Sequence, residues 1–472
     1  MAKNPRQSSP HRKAIHFRYA RHIAPRRHSE SVLSTTSTRL FSLVLMSSHL
    51  AHHLLVKKYG GTSVGSIERI EALADRLVRE TQNGPPPIIV VSAMSGETNR
   101  LIALAEKIDP DYRGPAYDML IASGEQVAIS LLSIALKKRN INAQPMLGHQ
   151  VGIRTDSTFA KARIQTIDVE PLMKLIANGI IPVVAGFQGV DADDNITTLG
   201  RGGSDTTAVA LAAALKAHLK PLGGDCDCEI FTDVPAVFTA DPRLVTKARE
   251  LKTISSEEMM EMAALGSKVL HIRCVEIGAK HDVKIHLRST FEERTGTWIV
   301  PGTTEQGSQS MPHMQLNIEE PVVSAVTHDA NTAVFTLFPV PAGPQFLASL
   351  FQNLAAKGVV VDIITSSETI DGTRLSFSVT KEDIPLSKQV LKAALTANIK
   401  IELAEGRAKI SVVGVGMRNH PGVAARFFSV LATENVSVQL VTTSEIKISA
   451  VIDGADLERA ARALHTEFEL DA

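Results

Sequence analysis

The stretch Lys58-Tyr59-Gly60-Gly61-Thr62-Ser63-Val64-Gly65 most constrains what this chain can fold into. It follows an apolar run, Leu54-Leu55-Val56, and precedes Ile67, Ile70, Leu73 and Leu77 at helical spacing. A change of period across a glycine turn predicts strand–turn–helix. Two adjacent glycines let backbone N–H groups approach an anion with no Cβ in the way, and the helix start beyond them adds a positive dipole end. Lys58 supplies a flexible charge at the strand's edge, and Thr62 and Ser63 add hydroxyl donors. These parts make a phosphate cradle around Gly60 and Gly61. The pattern G-x-x-x-x-G-K-[ST] is not matched, because the lysine precedes the glycines. A glycine-rich turn with a solvated lysine is the other reading this stretch allows.

Beyond it, short apolar runs alternate with helical stretches. Strands are predicted over residues 88–91, 180–185 and 283–287, with another ending at Ile230-Phe231. Helices are predicted over 98–108 and 117–138, and a polar loop over 186–200. A second glycine-rich turn, Leu199-Gly200-Arg201-Gly202-Gly203-Ser204-Asp205-Thr206-Thr207, opens an alanine-rich helix over 208–217. Such alternation implies a mostly parallel sheet covered by helices on both faces. Ligands bind such sheets beyond the carboxyl ends of the strands, where both glycine turns fall.

The charge balance, 50 basic against 50 acidic residues, produces no global field for nucleic acid or membrane. Three cysteines in 472 residues imply a reducing compartment. Cys226-Asp227-Cys228 has no second pair to complete a zinc site, so structural cysteines beside a strand are expected. No run reaches the roughly 18 apolar residues that a membrane helix requires. Residues 1–53 carry nine Lys and Arg from Lys3 to Arg39 against one acid, Glu30. That composition fits a transit peptide, a disordered tail, or a mis-annotated extension with Met46 as the true start.

A polar linker is expected over 291–320, and an internal repeat follows it. Phe351 to Glu368 realigns on Phe428 to Glu445, each copy reading strand, helix, strand, strand, helix. A half-sheet of that size buries too little alone, so the copies should pair side by side.

The motifs K-Y-G-G-T-S-V-G, S-G-E at 123–125, G-R-G-G-S-D at 200–205 and T-D-V-x-x-x-x-T-A-D-P-R at 232–243 resemble those of the aspartate kinases. These belong to the amino-acid kinase superfamily, and the resemblance covers about residues 54–472. It implies an α/β amino-acid kinase fold over 54–290, a mostly parallel sheet between helices. After the 291–320 linker it implies two ferredoxin-like α+β ACT domains, over 321–404 and 405–472. The implied reaction joins a β-carboxylate oxygen of L-aspartate to the γ-phosphorus of ATP, in the cytoplasm, opening lysine, threonine and methionine biosynthesis. The nucleophile is already anionic, so the work is positioning and neutralising charge.

The resemblance also implies roles for residues. Lys58 neutralises the phosphoryl charge beside Gly60, Gly61 and Ser63, while Asp205 orients Lys58 or the substrate amine. Arg201 grips the α-carboxylate and Glu125 accepts from the ammonium, with Ser92 and Thr98 in the substrate loop. Thr232, Asp233, Phe238, Arg243 and Lys268 correspond to nucleotide-binding positions; Phe238 stands where tyrosine is common. Magnesium is expected on the phosphates, with no protein metal cage. The loop 414–422, with Met417, Asn419, Pro421 and Gly422, matches an effector loop, and Thr443, Ser444 and Glu445 adjoin it. Lysine, threonine or both are the implied effectors, and chains are expected to associate through their C-terminal halves. In the first copy, Pro339-Val340-Pro341-Ala342-Gly343-Pro344 lacks the acidic residue usual before P-G. Competing readings are a kinase of glutamate, N-acetylglutamate, carbamate or a nucleoside monophosphate, an inactive amino-acid sensor, and a kinase fused to an oxidoreductase. No G-x-G-x-x-G supports the last.

Overall fold

The structure is a computed structural model that describes residues 53–82, 86–265, 269–302, 322–394 and 398–471, without the side chains of Arg418 and Asn419. The basic stretch before His53 lies outside the described residues. The chain begins with β1 (His53–Tyr59), α1 (Ile67–Thr81), β2 (Ile88–Val91), α2 (Glu97–Glu106), α3 (Pro115–Lys138) and β3 (Ala143–Met146). Next come β4 (Ile153–Thr155), β5 (Ile164–Ile167), α4 (Glu170–Ala177), β6 (Ile181–Ala185), β7 (Gln188–Val190) and β8 (Ile196–Thr198). The first half closes with α5 (Gly203–Leu219), β9 (Asp225–Thr232), β10 (Thr253–Ser255), α6 (Ser256–Ala264), α7 (Ile272–Lys280), β11 (Ile285–Ser289) and β12 (Thr297–Val300).

Its main sheet has the order β10-β12-β11-β9-β1-β2-β6-β3. From β11 to β3 every neighbouring pair is parallel, as strands buried on both faces require. Alternation along β1 sends Leu54 and Val56 into the core shared with α5 and Tyr59 into the core beneath α1 and α3. Helix α1 turns Ile70, Leu73 and Leu77 into that second core, each worth about 1.5–3 kcal/mol of burial. Cys226 and Cys228 are buried on β9 and Cys274 on α7, all three free. Desolvation pushes all three thiols up, which keeps them protonated.

The structure departs from expectation in three places here. The stretch 186–200 is no loop, because β7 and β8 form an antiparallel hairpin within a separate sheet of order β5-β4-β7-β8. Strands of three residues are too short to show a period. The chain also does not leave the fold at residue 290: β12 pairs antiparallel with β11, and Trp298 stacks on His286 with ring centroids 4.0 Å apart. Finally, α3 does have the length and composition of a membrane-crossing helix. It lies in the fold, with Ile121, Ala122, Ile129, Leu132 and Leu136 buried, and it carries buried Asp118 and Glu125.

The second half comprises β13 (Ala325–Val340), α8 (Pro344–Ala356), β14 (Val361–Thr369), β15 (Gly372–Thr380), α9 (Ile384–Ala394) and β16 (Lys400–Val413). It ends with α10 (Val423–Thr433), β17 (Val438–Thr443), β18 (Lys447–Asp453) and α11 (Leu457–Glu467). One sheet, of order β14-β15-β13-β16-β18-β17, runs through both copies of the repeat. Strand β13 serves both. Before its irregularity near Asp329 and Thr332 it pairs with the end of β16; after it, with β15 and the start of β16. Accordingly Val323 and Val326 pack with Ile410, Phe427 and Leu464 of the second copy. Ala333, Phe335 and Leu337 pack with Leu354, Phe377 and Leu391 of the first. A cut between 404 and 405 therefore falls inside β16, and the second copy takes a strand from before the first. No Gly or Pro punctuates β13 between Ala325 and Phe338, so the sequence shows no boundary there.

A fragment of residues 405–472 lacks that strand and should show no cooperative thermal transition by circular dichroism. A fragment of 322–472 should show one. Equal melting of the two fragments would contradict the shared strand.

Candidate active site

Lys58 does not sit at an exposed edge. Strand β1 is paired on both sides, and the Lys58 side chain is 9 % exposed, with Nζ 2.6 Å from Asp205 Oδ1. A desolvated ammonium keeps its charge at tolerable cost only beside a carboxylate. Asp205 lies in the first turn of α5, where the helix N-terminus favours a negative charge.

The glycine turn after β1 is tighter than a cradle of two free amides. Gly60 N donates to Phe231 O at 3.1 Å, so that amide is committed to the sheet. At Gly61 a Cβ would come within 2.8 Å of the Ala93 carbonyl oxygen, so only glycine fits. Ser63 is buried, its hydroxyl 2.6 Å from Thr290 Oγ1. Helix α1 starts only at Ile67, capped by Ser66, whose side chain accepts from Arg69 N at 3.4 Å. Its dipole end is thus not at the glycines.

The second turn is built on left-handed glycines, Gly200 at φ 78° and Gly202 at φ 67°. A Cβ on Gly202 would collide with the His271 side chain. Between them Arg201 is exposed and makes no ion pair among the described residues. Across the cleft Glu125, on α3, is 3 % exposed. Its Oε1 accepts from Ala93 N at 3.0 Å, while Oε2 is buried without a partner. Desolvation pushes this carboxyl up to about 7, against the pull of the Ala93 amide. Lys58, Gly61, Ser92, Thr98, Glu125, Arg201 and Asp205 line one cleft of about 340 Å³, together with Ser95, Asn99 and Ser204.

Comparison with known proteins identifies the family. Residues 53–289 match the amino acid kinase family and residues 410–468 an ACT domain. The aspartate kinase of Stutzerimonas stutzeri is 46% identical over 423 residues, 89% of this chain and 98% of its own length. This chain belongs to the aspartokinases. E. coli aspartokinase III, solved with aspartate and ADP in its R-state, matches with TM-score 0.67 at 26% identity, over 88% of this chain and 99% of that one. The same enzyme with lysine and aspartate, in its T-state, matches with TM-score 0.69 at 26% identity over the same 88% and 99%.

Not every residue expected around the nucleotide gathers in this aspartokinase. Thr232 ends β9 next to the glycine turn, its carbonyl accepting from Thr290 N at 2.9 Å and its hydroxyl donating to Asp233 Oδ1 at 3.1 Å. Phe238 instead forms an isolated bridge with Glu250. Arg243, its side chain 87 % exposed, closes its fork on Asp241 at 2.6 Å. That segment is drawn toward the C-terminal half, where Thr239 O accepts from Val326 N at 2.8 Å. Gly60, Ser63, Thr232, Asp233, Phe238 and Arg243 do not line the cleft, and Lys268 lies outside the described residues. Sequence reasoning missed Thr290, Asp118 and Arg273. Only Asp118 left a trace, as an acid in the first turn of an apolar helix.

In the second copy, Gly414 N donates to Ile446 O at 3.0 Å and Ser444 N to Lys447 O at 2.9 Å. These bonds bring the loop 414–422 beside Thr443, Ser444 and Glu445, all three exposed. Gly422 caps α10 at φ 102° behind exposed Pro421, and Met417 packs against the core below. The Asn419 side chain lies outside the described residues.

The raised Glu125 carboxyl has a consequence for stability. The folded chain prefers the neutral acid, so the penalty is small at low pH and grows as pH rises from about 4.5 past 7. Glu125→Gln should therefore stabilise the unliganded protein by roughly 3 kcal/mol at pH 8 and by under about 1 kcal/mol at pH 5. Denaturant titration at both values checks this; a pH-independent difference would contradict it.

Proposed function

We propose that this cleft transfers the γ-phosphoryl group of ATP to the β-carboxylate of L-aspartate, giving 4-phospho-L-aspartate. One observation carries the reading: the free guanidinium of Arg201 and the unpartnered Glu125 Oε2 line the same cleft as Lys58. An α-amino acid presents the complementary charges, a carboxylate for the fork of Arg201 and an ammonium for Glu125. Held at both ends, aspartate would turn its β-carboxylate toward Lys58, with Ser92 and Thr98 offering hydroxyl donors. Lys58 then neutralises charge on the transferring phosphoryl oxygens, and Asp205 fixes where that ammonium stands. The aspartate and ADP bound by the E. coli relative support this choice of substrates.

The nucleotide would run from Gly61 past the ends of β1 and β9, near Ser63, Thr232 and Asp233. Phe238 and Arg243 take part only if the segment after Asp233 moves. Among the described residues no group of three His, Cys, Asp or Glu side chains is placed to hold a metal, and Asp205 is engaged by Lys58. Magnesium would enter with ATP, ligated mostly by phosphate and water.

Lys58→Met keeps the buried volume and removes the charge. Turnover should fall more than about 10²-fold, the scale of losing one preorganised electrostatic contact. Turnover within threefold of wild type in the coupled ADP-release assay would sink the role of Lys58.

The second part of the proposal is feedback control, with the product feeding lysine, threonine and methionine biosynthesis in the cytoplasm. The E. coli relative binds lysine in its T-state, which supports an amino-acid effector at Met417, Asn419, Pro421, Gly422, Thr443, Ser444 and Glu445. The sheet edges β14 and β17 are available for pairing chains into homo-oligomers. An effector with about 1–3 kcal/mol of coupling would inhibit roughly 5–150-fold. Activity should fall with lysine, threonine or both together, and insensitivity to every mixture would leave the repeat a dimerisation device.

A further inference from the structure

Arg201 is the one part of the proposed substrate clamp that nothing holds by its side chain. Its direction is set by the backbone of the turn that carries it, so whatever grips that turn controls the clamp. The grip comes from α7. Arg273 Nη1 donates to Leu199 O at 2.9 Å, and Nη2 donates to Ala162 O at 3.0 Å. Leu199 immediately precedes Gly200-Arg201-Gly202. We propose that Arg273 is a positioning residue for the carboxylate-binding turn, its planar fork bridging that turn to the loop 156–163. The proposal rests on the reading of Arg201 as the α-carboxylate clamp.

The chemistry of Arg273 fits a strap better than a surface charge. The residue is half-buried and makes no ion pair among the described residues, and both Nη groups go to neutral carbonyl oxygens on separate segments. A guanidinium removed from water without a carboxylate is costly, and charge-assisted bonds to carbonyls are what offset it here. The loop at the other end of the strap is itself anchored. Asp118 Oδ1 accepts from Ala160 N at 2.9 Å, Asp118 Oδ2 accepts from Thr198 N at 2.6 Å, and Ala162 N donates to Thr198 O at 2.9 Å. The turn packs closely on that loop, since a Cβ on Gly200 would lie 3.1 Å from Ala160 O. His271, two residues before Arg273, presses on Gly202 from the far side. Turn, loop and α7 thus form one assembly in which Arg273 is the cross-piece. A lysine reaches one carbonyl but cannot fork to two.

The test uses the full-length enzyme and compares Arg273→Lys and Arg273→Gln with Arg201→Ala and with the Arg201→Ala/Arg273→Lys double variant. Arg273→Lys should raise the aspartate KM about tenfold or more, the factor expected for losing a hydrogen bond to a charged group. The kcat and the ATP KM should stay within about threefold. Hydrogen exchange of the amides at 199–203 should speed up while the rest of the sheet is unchanged. The double variant should be no worse than Arg201→Ala alone, because the strap acts through Arg201. Equal losses in kcat and in both KM values, unaltered exchange at 199–203, or multiplicative losses in the double variant would overturn the proposal. If Arg201→Ala changes the aspartate KM and neither Arg273 variant does, the proposal alone fails. If Arg201→Ala leaves that KM unchanged, the clamp reading fails and this proposal with it.

Discussion

The ion pair between Lys58 and Asp205 is the constraint on which the catalytic half depends. An ammonium on a strand paired on both sides, nearly closed off from water, requires a carboxylate within reach. Asp205 meets that need only because α5 begins where it does, behind the left-handed Gly202. The strand, the second glycine turn and the helix start are thereby tied to one another. Removing one partner would leave a buried charge alone, an effect of about 3–5 kcal/mol in comparable cases. The pair that organises the site also fixes the Lys58 ammonium at the wall of the cleft.

On the opposite face of β1 the sheet carries a second buried charge network of a different kind. Lys57 lies 2.7 Å from Glu80 and 3.2 Å from Glu229, and Glu229 also meets Arg288 at 3.1 Å. Burial opposes the ionised Glu229, yet bonding to His286 and the charges of Lys57 and Arg288 hold its carboxyl down at about 2. This cluster ties β1, β9 and β11 to α1 behind the site and has no opening toward the cleft. Clustered charges are therefore no guide to function here. What marks the cleft is that it is open, and that the unpaired Arg201 guanidinium and the unpartnered Glu125 Oε2 line it together with Lys58.

The two halves of the chain are joined by polar contacts that reach both cores. Glu258, in the capping box of α6, uses its other oxygen to accept from Ser324 Oγ at 2.6 Å and from Val415 N at 3.1 Å. Lys447 meets Glu261 on the same helix at 2.8 Å. Thr239 Oγ1 lies 2.9 Å from Nε2 of His465, whose burial lowers its pKa and keeps it neutral. Helix α6 therefore touches the start of the proposed effector loop directly, while α7, packed beside it, carries Arg273 to the substrate turn. An effector that moved the loop would have a short physical route to the cleft.

Much of this was legible in the residues alone. Strand and helix periods, the two glycine turns and the S-G-E triplet are local features, set by side-chain alternation and by backbone angles that only glycine adopts without strain. The glycine turn singled out Lys58, and the resemblance of the motifs to those of the aspartate kinases pointed to Glu125, Arg201 and Asp205; the fold gathers all four into one cleft. Tertiary structure decided what depends on partners distant in sequence. Gly60 spends its amide on Phe231, Arg243 closes on Asp241, and Phe238 joins the segment drawn to the C-terminal half. Arg273 was invisible because its acceptors are backbone carbonyls, which carry no residue identity. The shared strand was invisible because no Gly or Pro marks the point at which β13 passes from one core to the other. Local chemistry sets which element a residue enters; the partner of a buried charge or an unpaired strand is settled only when those elements pack.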